Sequence, residues 1–229
     1  MRRQQLAQMI DHTLIGPETS ADGIRRLCKE AIQYGFASVL VNPRHVALAV
    51  EQVREHPIKV ATVIGFPQGA NAAAVKAFEA RIALDDGAEE LDMVIDIAAL
   101  KAMDYRAVLN EIHAVGEVLE KRPAGGVLKV ILETALLSDE QIVAGCILAV
   151  GAGADHVKTS TGFGPGGATV EAVRLMRKTV GTEFGVTAAG GIRDYETAVQ
   201  MIDAGATRIG TSSGVEIIEG APEPESSSG

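Results

Sequence analysis

Short apolar runs alternate along this chain with longer segments in which apolar residues recur every three or four positions. The runs are continuous, without regular polar alternation, so they predict strands buried on both faces, as in parallel sheets. They cover residues 37–41, 59–65, 91–95, 127–132, 156–161, 185–188 and 207–211. The helical segments, counted from the capping residue where one is present, cover 20–34, 44–54, 70–86, 104–120, 138–150, 169–180 and 194–204. Strand and helix therefore alternate regularly.

The segment around residues 10–13 supplies an eighth strand, preceded by a short N-terminal helix at residues 4–10. Eight strand–helix units within 229 residues are typical of a TIM barrel. The pattern therefore predicts an α/β fold, a single-domain (β/α)8 barrel over residues 1–220, with a doubly wound open sheet as the alternative. Residues 221–229 are rich in Pro, Glu and Ser and predict a disordered tail.

An internal repeat places particular residues at one level of the predicted barrel. Segments 87–92, 153–158 and 205–210 each begin with Gly-Ala and lead into a strand. If the three turns are equivalent, the fifth residue after each glycine points the same way, and these residues are Asp92, Lys158 and Gly210. The alternative is that Gly-Ala is a common turn before a strand and fixes no register.

Lys158 is the candidate nucleophile among these three residues. Lysine is seldom buried without a partner, and burial disfavours its charged form. A neutral amine can attack a carbonyl and form a Schiff base, after which Asp92, directly or through a water, can move protons. Two alternatives stay open: a lysine at a strand end that points into solvent, and a structural Asp92–Lys158 ion pair that keeps the amine charged and inert.

Composition and charge exclude several classes of function. The net charge of −9 argues against a nucleic-acid partner but permits a small phosphorylated ligand. The two cysteines and five histidines fit no metal-site spacing, and Ser160 lacks a nucleophile elbow. No run approaches the ~18 apolar residues of a membrane span, and no signal peptide is evident. These features predict a cytoplasmic protein without a metal and with no membrane partner.

Glycine-rich loops follow the last three predicted strands. Residues 162–167 formally match G-x-G-x-x-G, but Thr187 stands where a dinucleotide site has an acidic residue. Residues 190–193 and 210–214 lie where barrels commonly bind phosphate on backbone N–H groups. They predict a phosphate site, with a pair of tight turns as the alternative.

Several motifs together resemble the deoxyribose-phosphate aldolase family over nearly the whole chain. They are Asp11-His12-Thr13, Val41-Asn42-Pro43, Val63-Ile64-Gly65-Phe66-Pro67, Glu90-Leu91-Asp92-Met93-Val94, Lys129-Val130-Ile131-Leu132-Glu133-Thr134, Val157-Lys158-Thr159-Ser160-Thr161-Gly162 and Gly210-Thr211-Ser212-Ser213-Gly214. The resemblance implies a class I aldolase on a TIM barrel, without metal or organic cofactor. It implies reversible cleavage of 2-deoxy-D-ribose 5-phosphate to acetaldehyde and D-glyceraldehyde 3-phosphate, in deoxyribonucleotide catabolism. It leaves a homodimer open.

The resemblance also implies residue roles. Lys158 would be the Schiff-base lysine and Asp92 the proton-relay acid, and Thr187 occupies a third catalytic position. The predicted substrate-binding residues lie at strand ends and in the glycine loops: Asp11, Thr13, Lys129, Thr161, Gly162, Gly190, Gly191, Gly210, Ser212 and Ser213.

This chain departs from the family pattern at Thr187, where the family has a second lysine in a Lys-x-Ala-Gly-Gly motif. That ammonium would help to keep the Schiff-base lysine neutral, so its loss predicts impaired activity, for which Lys129 could partly compensate. Leu40 stands where the family often has a cysteine, and the tail lacks the C-terminal tyrosine of some members. A non-catalytic sugar-phosphate-binding barrel and an aldolase for another phosphorylated sugar are the alternatives.

Overall fold

A computed structural model of the chain describes residues 2–222. Its strands are β1 (Ile10–Leu14), β2 (Ser38–Val41), β3 (Lys59–Ile64), β4 (Glu90–Val94), β5 (Val127–Ile131), β6 (His156–Lys158), β7 (Gly185–Ala189) and β8 (Arg208–Thr211). Its α-helices are α1 (Arg3–Ala7), α2 (Ala21–Tyr34), α3 (Val46–Val53), α4 (Ala73–Asp85), α5 (Ile97–Lys101), α6 (Tyr105–Glu120), α7 (Asp139–Gly151), α8 (Val170–Val180), α9 (Tyr195–Asp203) and α10 (Gly214–Glu219).

The eight strands form one closed barrel in sequence order. Every neighbouring pair is parallel, and β8 closes the barrel by pairing Gly210 with Asp11 of β1. The predicted single-domain (β/α)8 barrel with a short N-terminal helix is therefore confirmed, and the open sheet is excluded. The predicted disordered tail falls largely on residues 223–229, which lie outside the described part of the chain.

Side-chain caps fix the starts of most of the longer helices where the sequence places them. The Oγ atom of Ser20 accepts a hydrogen bond from the N–H of Gly23 at the start of α2, and Asp104 caps α6 through the N–H of Ala107. Ser138 and Gln141 form the predicted capping box of α7. These caps satisfy donors that have no partner within the helix.

Some boundaries differ from the predicted ones. Strand β6 ends at Lys158 instead of residue 161, because Thr159 bonds the backbone of Ala189 through its side-chain oxygen, donating to O and accepting from N, both at 3.0 Å. Helix α4 begins at Ala73 instead of residue 70, since no polar side chain caps an earlier start. Helices α5 and α10 were not predicted, because five or six residues are too few to show periodicity.

The barrel interior is divided into an apolar side and a charged side. Leu40, Ala61 and Val63 of β2 and β3 form a small apolar cluster separate from the main core between strands and helices. Strands β1, β4, β5, β6 and β8 direct buried charged side chains inward: Asp11, Glu90, Asp92, Lys129, Lys158 and, less completely buried, Arg208. Buried charges are stable only in mutual contact, so this half of the interior is where specific chemistry is expected.

The two cysteines of the chain do not form a disulfide. Cys28 and Cys146 are both buried and unpaired, and burial raises the pKa of their thiols to about 11 and about 12, respectively. Within residues 2–222, no helix combines the length and the apolar character that a membrane crossing requires.

Candidate active site

Lys158 and Asp92 meet inside the barrel. The Nζ atom of Lys158, the last residue of β6, lies 2.6 Å from Oδ2 of Asp92 in the middle of β4. Lys158 is 3% exposed and Asp92 is fully buried. A Cβ atom placed on Gly210 would lie 3.5 Å from the same Nζ atom. The repeat therefore predicted correctly that these three residues share one level of the barrel.

A second lysine lies beneath this pair and is enclosed by carboxylates. The Nζ atom of Lys129 lies 2.6 Å from Glu90, 3.1 Å from Asp92 and 3.2 Å from Asp11. Arg208 forms ion pairs with Asp11 and Glu90. With Lys158 included, three cationic side chains face three carboxylates, so the interior network is balanced when every member is ionised.

The charges of the network change the pKa values of Lys129 and Asp92. Burial acts to lower the pKa of Lys129, but the charges of Asp11, Asp92 and Glu90 outweigh it and hold the pKa well above its usual value. Burial likewise acts to raise the pKa of Asp92, and Lys129 and Lys158 more than reverse that effect, so the pKa is lowered. Lys129 therefore stays an ammonium and is a poor nucleophile, which makes Lys158 the candidate amine.

Thr187 lies beside Lys158 on the neighbouring strand, with the two Cα atoms in register. Its hydroxyl is fully buried and hydrogen-bonded to Nδ1 of His156 at 3.1 Å. Burial, followed by the charges of Lys129 and Arg208, lowers the pKa of His156 to about 4. At neutral pH this position therefore holds an uncharged hydroxyl–imidazole pair.

The mouth of the barrel above Lys158 is a cavity of about 280 Å³. Its lining includes eight of the predicted site residues: Thr13, Lys158, Thr161, Gly162, Gly190, Gly191, Gly210 and Ser212. Leu40 and Phe163 are also part of the wall. The structure does not place the remaining predicted residues in this lining, namely Asp11, Asp92, Lys129, Thr187 and Ser213; all of these except Ser213 are fully buried.

Glycines shape the loop after β7, the strand that pairs with the strand of Lys158. Gly190 and Gly191 both have positive φ values, 90° and 80°, a backbone conformation that side-chain-bearing residues rarely adopt. A Cβ atom on Gly167 would approach the carbonyl oxygen of Gly190 to 2.2 Å, so the loops after β6 and β7 pack backbone against backbone. The resulting surface offers backbone groups to a ligand at close range.

Sequence reasoning overlooked Glu90, His156 and Arg208, although the repeat contained the signal. Each of these residues is the third after the repeat glycine, two positions before Asp92, Lys158 and Gly210. Side chains two apart on a strand face the same side, so the three residues form the layer beneath the predicted one.

Fold and site together define a (β/α)8 barrel with a reactive-lysine candidate at the base of its cavity. Comparison with known proteins gives the family. The model of the DeoC/LacD family aldolases matches residues 5–220. The deoxyribose-phosphate aldolase of Thermococcus kodakarensis is 58% identical over 225 residues, which are 97% of this chain and 100% of that protein. The chain therefore belongs to the DeoC/LacD family of aldolases.

Other similar proteins are also deoxyribose-phosphate aldolases. Deoxyribose-phosphate aldolase 1 of Bacillus licheniformis is 54% identical over 222 residues, covering 97% of this chain and 98% of its own. The tetrameric deoxyribose phosphate aldolase of Aeropyrum pernix has a solved structure that superposes with a TM-score of 0.89 at 35% identity. That match covers 95% of this chain and 91% of the other.

Proposed function

We propose that this chain is a class I deoxyribose-phosphate aldolase that uses Lys158 as its Schiff-base residue. The observation that carries the proposal is the position of the Lys158 amine, which lines the cavity and contacts a buried carboxylate at 2.6 Å. Lys129, the other lysine of the interior network, lies beneath the cavity lining and is held as an ammonium by three carboxylates.

The chemistry begins when neutral Lys158 adds to the C1 aldehyde of open-chain 2-deoxy-D-ribose 5-phosphate. Loss of water gives an iminium, which withdraws electrons from the C2–C3 bond. A base removes the C3 hydroxyl proton, the C2–C3 bond breaks, and its electron pair forms an enamine while D-glyceraldehyde 3-phosphate leaves. Protonation of the enamine at C2 and hydrolysis release acetaldehyde and regenerate the amine.

Asp92 is the proposed proton carrier for these steps. Its Oδ2 atom lies beside the reacting nitrogen, so it can exchange protons with the amine directly or through a water. Its lowered pKa favours the carboxylate, which stabilises the iminium charge that develops at Lys158.

The phosphate end of the substrate would bind the loops after β7 and β8, which line the same cavity as Lys158. Gly190 and Gly191 permit a close approach of the backbone, and Ser212 adds a hydroxyl donor. Arg193 lines the same cavity and supplies a positive charge. In this proposal the aldehyde reaches Lys158 while the phosphate binds the loops after β7 and β8.

A second candidate function follows from Thr187. The neutral Thr187–His156 pair does not supply the ammonium of the family pattern, which favours an impaired enzyme or a barrel that binds sugar phosphates without turnover. A binder would show ligand-dependent thermal stabilisation but no product.

The test is a cleavage assay with 2-deoxy-D-ribose 5-phosphate, in which D-glyceraldehyde 3-phosphate is detected by a coupled reduction. Turnover that disappears in Lys158→Met is the expected result. Thermal stabilisation by the substrate without product would favour the binder. Faster turnover of a different compound in a panel of phosphorylated sugars would point to another aldolase substrate.

For the assembly, exposed apolar residues on α4 support association of like chains. Val75, Phe78 and Ile82 are 50%, 54% and 44% exposed and lie on one helix face. A homodimer through this face is the proposal, and analytical ultracentrifugation of Phe78→Glu tests it. A wild-type monomer would contradict it.

A further inference from the structure

Glu133, directly after β5, has an unusual backbone conformation for a residue with a large side chain. Its φ and ψ angles are 57° and 61°, in the left-handed region. Met103 is the one other non-glycine residue with positive φ in the described part of the chain. Such a conformation is unfavourable for glutamate and persists only where the surroundings impose it, often near functional sites.

The carboxylate of Glu133 turns inward and holds the loop that follows Lys158. It is 2% exposed, and its Oε2 atom accepts hydrogen bonds from the hydroxyl and, at 3.3 Å, from the N–H of Thr161. The Thr161 hydroxyl in turn accepts a bond from the N–H of Phe163 at 3.1 Å. One carboxylate thus organises residues 161–163 by way of a single hydroxyl.

Backbone contacts on either side of Glu133 connect the same loop to the reactive lysine. The N–H of Leu132 donates to the carbonyl of Lys158 at 3.0 Å, and the N–H of Thr134 donates to that of Thr159 at 2.9 Å. Gly164 leaves room for the carboxylate, since a Cβ atom there would lie 2.8 Å from Cδ of Glu133. The ends of β5 and β6 are therefore joined around this side chain.

Stability alone does not account for this arrangement. The Oε1 atom of Glu133 is buried and accepts no hydrogen bond from any described residue. A buried acceptor without a donor and a left-handed glutamate are both unfavourable, and these costs offset part of what the two hydrogen bonds to Thr161 contribute. Local costs of this kind are characteristic of functional positions.

The loop that Glu133 holds is a wall of the cavity. Thr161 and Phe163 line the cavity together with Lys158, and the Phe163 ring packs edge-on against Phe66 with ring centroids 5.4 Å apart. On the other side of the same two residues lies a second, apolar cavity of about 410 Å³. The wall therefore separates the reaction cavity from a neighbouring space.

We propose that Glu133 is a positioning residue, which rigidly holds residues 161–164 as the wall that orients the substrate against Lys158. The inference rests on the proposed aldolase function. Glu133 touches no reacting atom, and it acts through the Thr161 hydroxyl. Without it, the wall can shift toward the second cavity, and the substrate loses alignment with the amine.

The decisive variant is Glu133→Gly, because glycine adopts the left-handed backbone freely while the carboxylate is removed. The expected result is a fall in kcat/KM of about tenfold, mainly through a higher KM. The melting temperature should stay close to that of the wild type, because relief of the left-handed backbone offsets the lost hydrogen bonds. Glu133→Gln retains one acceptor oxygen and should recover part of the loss. Unchanged kcat/KM, or a loss that follows a lowered melting temperature, would overturn the proposal.

Thr161 supplies an independent test if Glu133→Gly fails to fold. Thr161→Val removes the hydroxyl that Glu133 holds and should raise KM. Combining Thr161→Val with Glu133→Gln should add little to either single change, because the two act through one hydrogen bond. If the effects of the two substitutions on KM are fully additive, Glu133 does not act through the Thr161 hydroxyl.

The role of Glu133 can still be tested if the chain has no aldolase activity, because ligand binding can be measured without turnover. If the wild type gives no product, thermal stabilisation by 2-deoxy-D-ribose 5-phosphate replaces turnover as the measurement. A weakened shift in Glu133→Gly and Thr161→Val, with no change in Asp104→Asn at the exposed cap of α6, would still support the wall. Equal shifts in wild type and all variants would contradict it.

Discussion

Nδ1 of His156 lies 3.1 Å from the hydroxyl of Thr187, at the strand position where the family pattern has a second lysine. The pair is neutral at pH 7, because burial and nearby cations lower the pKa of His156 to about 4. Around it, Lys129, Lys158 and Arg208 face three carboxylates. A lysine at position 187 would therefore add a fourth cation to a balanced interior.

Restoring that cation should increase catalysis. In Thr187→Lys the added ammonium repels the charge on Lys158 and favours its neutral, nucleophilic form, so we expect kcat for cleavage to rise about tenfold or more. Steady-state kinetics at pH 7 measure the effect. Thr187→Val is the matched control, since it removes the hydroxyl without adding charge and should not increase kcat. An unchanged rate in Thr187→Lys would mean that other residues already perform this role.

Asp92→Asn tests the proton carrier. The amide keeps the shape of the side chain but neither carries the negative charge nor accepts a proton as carboxylate does. A loss in kcat of about a hundredfold to ten-thousandfold is expected for a missing general acid–base. Asp104→Asn, at the exposed cap of α6, is the control for a generic Asp-to-Asn effect. A purely structural Asp92–Lys158 ion pair would instead predict lower stability with nearly unchanged kcat.

Lys129 should matter chiefly for stability. Replacing it by Met leaves Asp11, Glu90 and Asp92 buried without their central cation, which should cost about 3–5 kcal/mol in the free energy of unfolding. Lys59→Met removes an ion pair with Glu89 that is half exposed, so its cost should stay below about 1 kcal/mol. Denaturant unfolding of both variants is the measurement, and equal losses would contradict the assignment of Lys129.

His156 should make stability dependent on pH in the mildly acidic range. Its pKa falls from 6.5 in the unfolded chain to about 4 in the folded one, so its contribution is complete above pH 6.5. It is lost as the pH falls toward 4, because the unfolded chain then binds a proton that the folded chain excludes. Groups facing His156 include Lys129, Arg208, Asp11 and Asp92.

The measurement compares wild type with His156→Asn. The difference between their unfolding free energies should change by about 3 kcal/mol between pH 7 and pH 4, with the wild type losing more. Asn can still bond the Thr187 hydroxyl but does not titrate. A difference that stays constant across this range would show that His156 is not held neutral by the fold.

Sequence alone predicted the barrel, most helix starts and the meeting of Asp92 with Lys158. Each of these follows from a local or periodic signal. Apolar runs mark strands buried on both faces, capping residues such as Ser20 and Asp104 mark helix starts, and the Gly-Ala repeat sets strand depth. The repeat worked because equivalent turns place equivalent residues at one level.

What the sequence did not reveal depends on closure of the barrel. The interior network forms only when β8 meets β1 and brings Arg208 to Asp11, residues 197 positions apart. The left-handed backbone of Glu133 has no local signal either, because neither its residue type nor its neighbours favour it. The contact of Thr187 with His156 also depends on the fold, because the two residues lie on neighbouring strands whose register is set when the barrel forms.

The most direct test of the central claim is chemical trapping of the Schiff base. The wild-type protein is incubated with acetaldehyde, reduced with sodium borohydride, digested and analysed by peptide mass spectrometry. A reduced two-carbon adduct on Lys158, absent without borohydride and lost in Lys158→Met, is the predicted result. An unmodified Lys158 peptide, or an adduct found only on another lysine, would contradict the account.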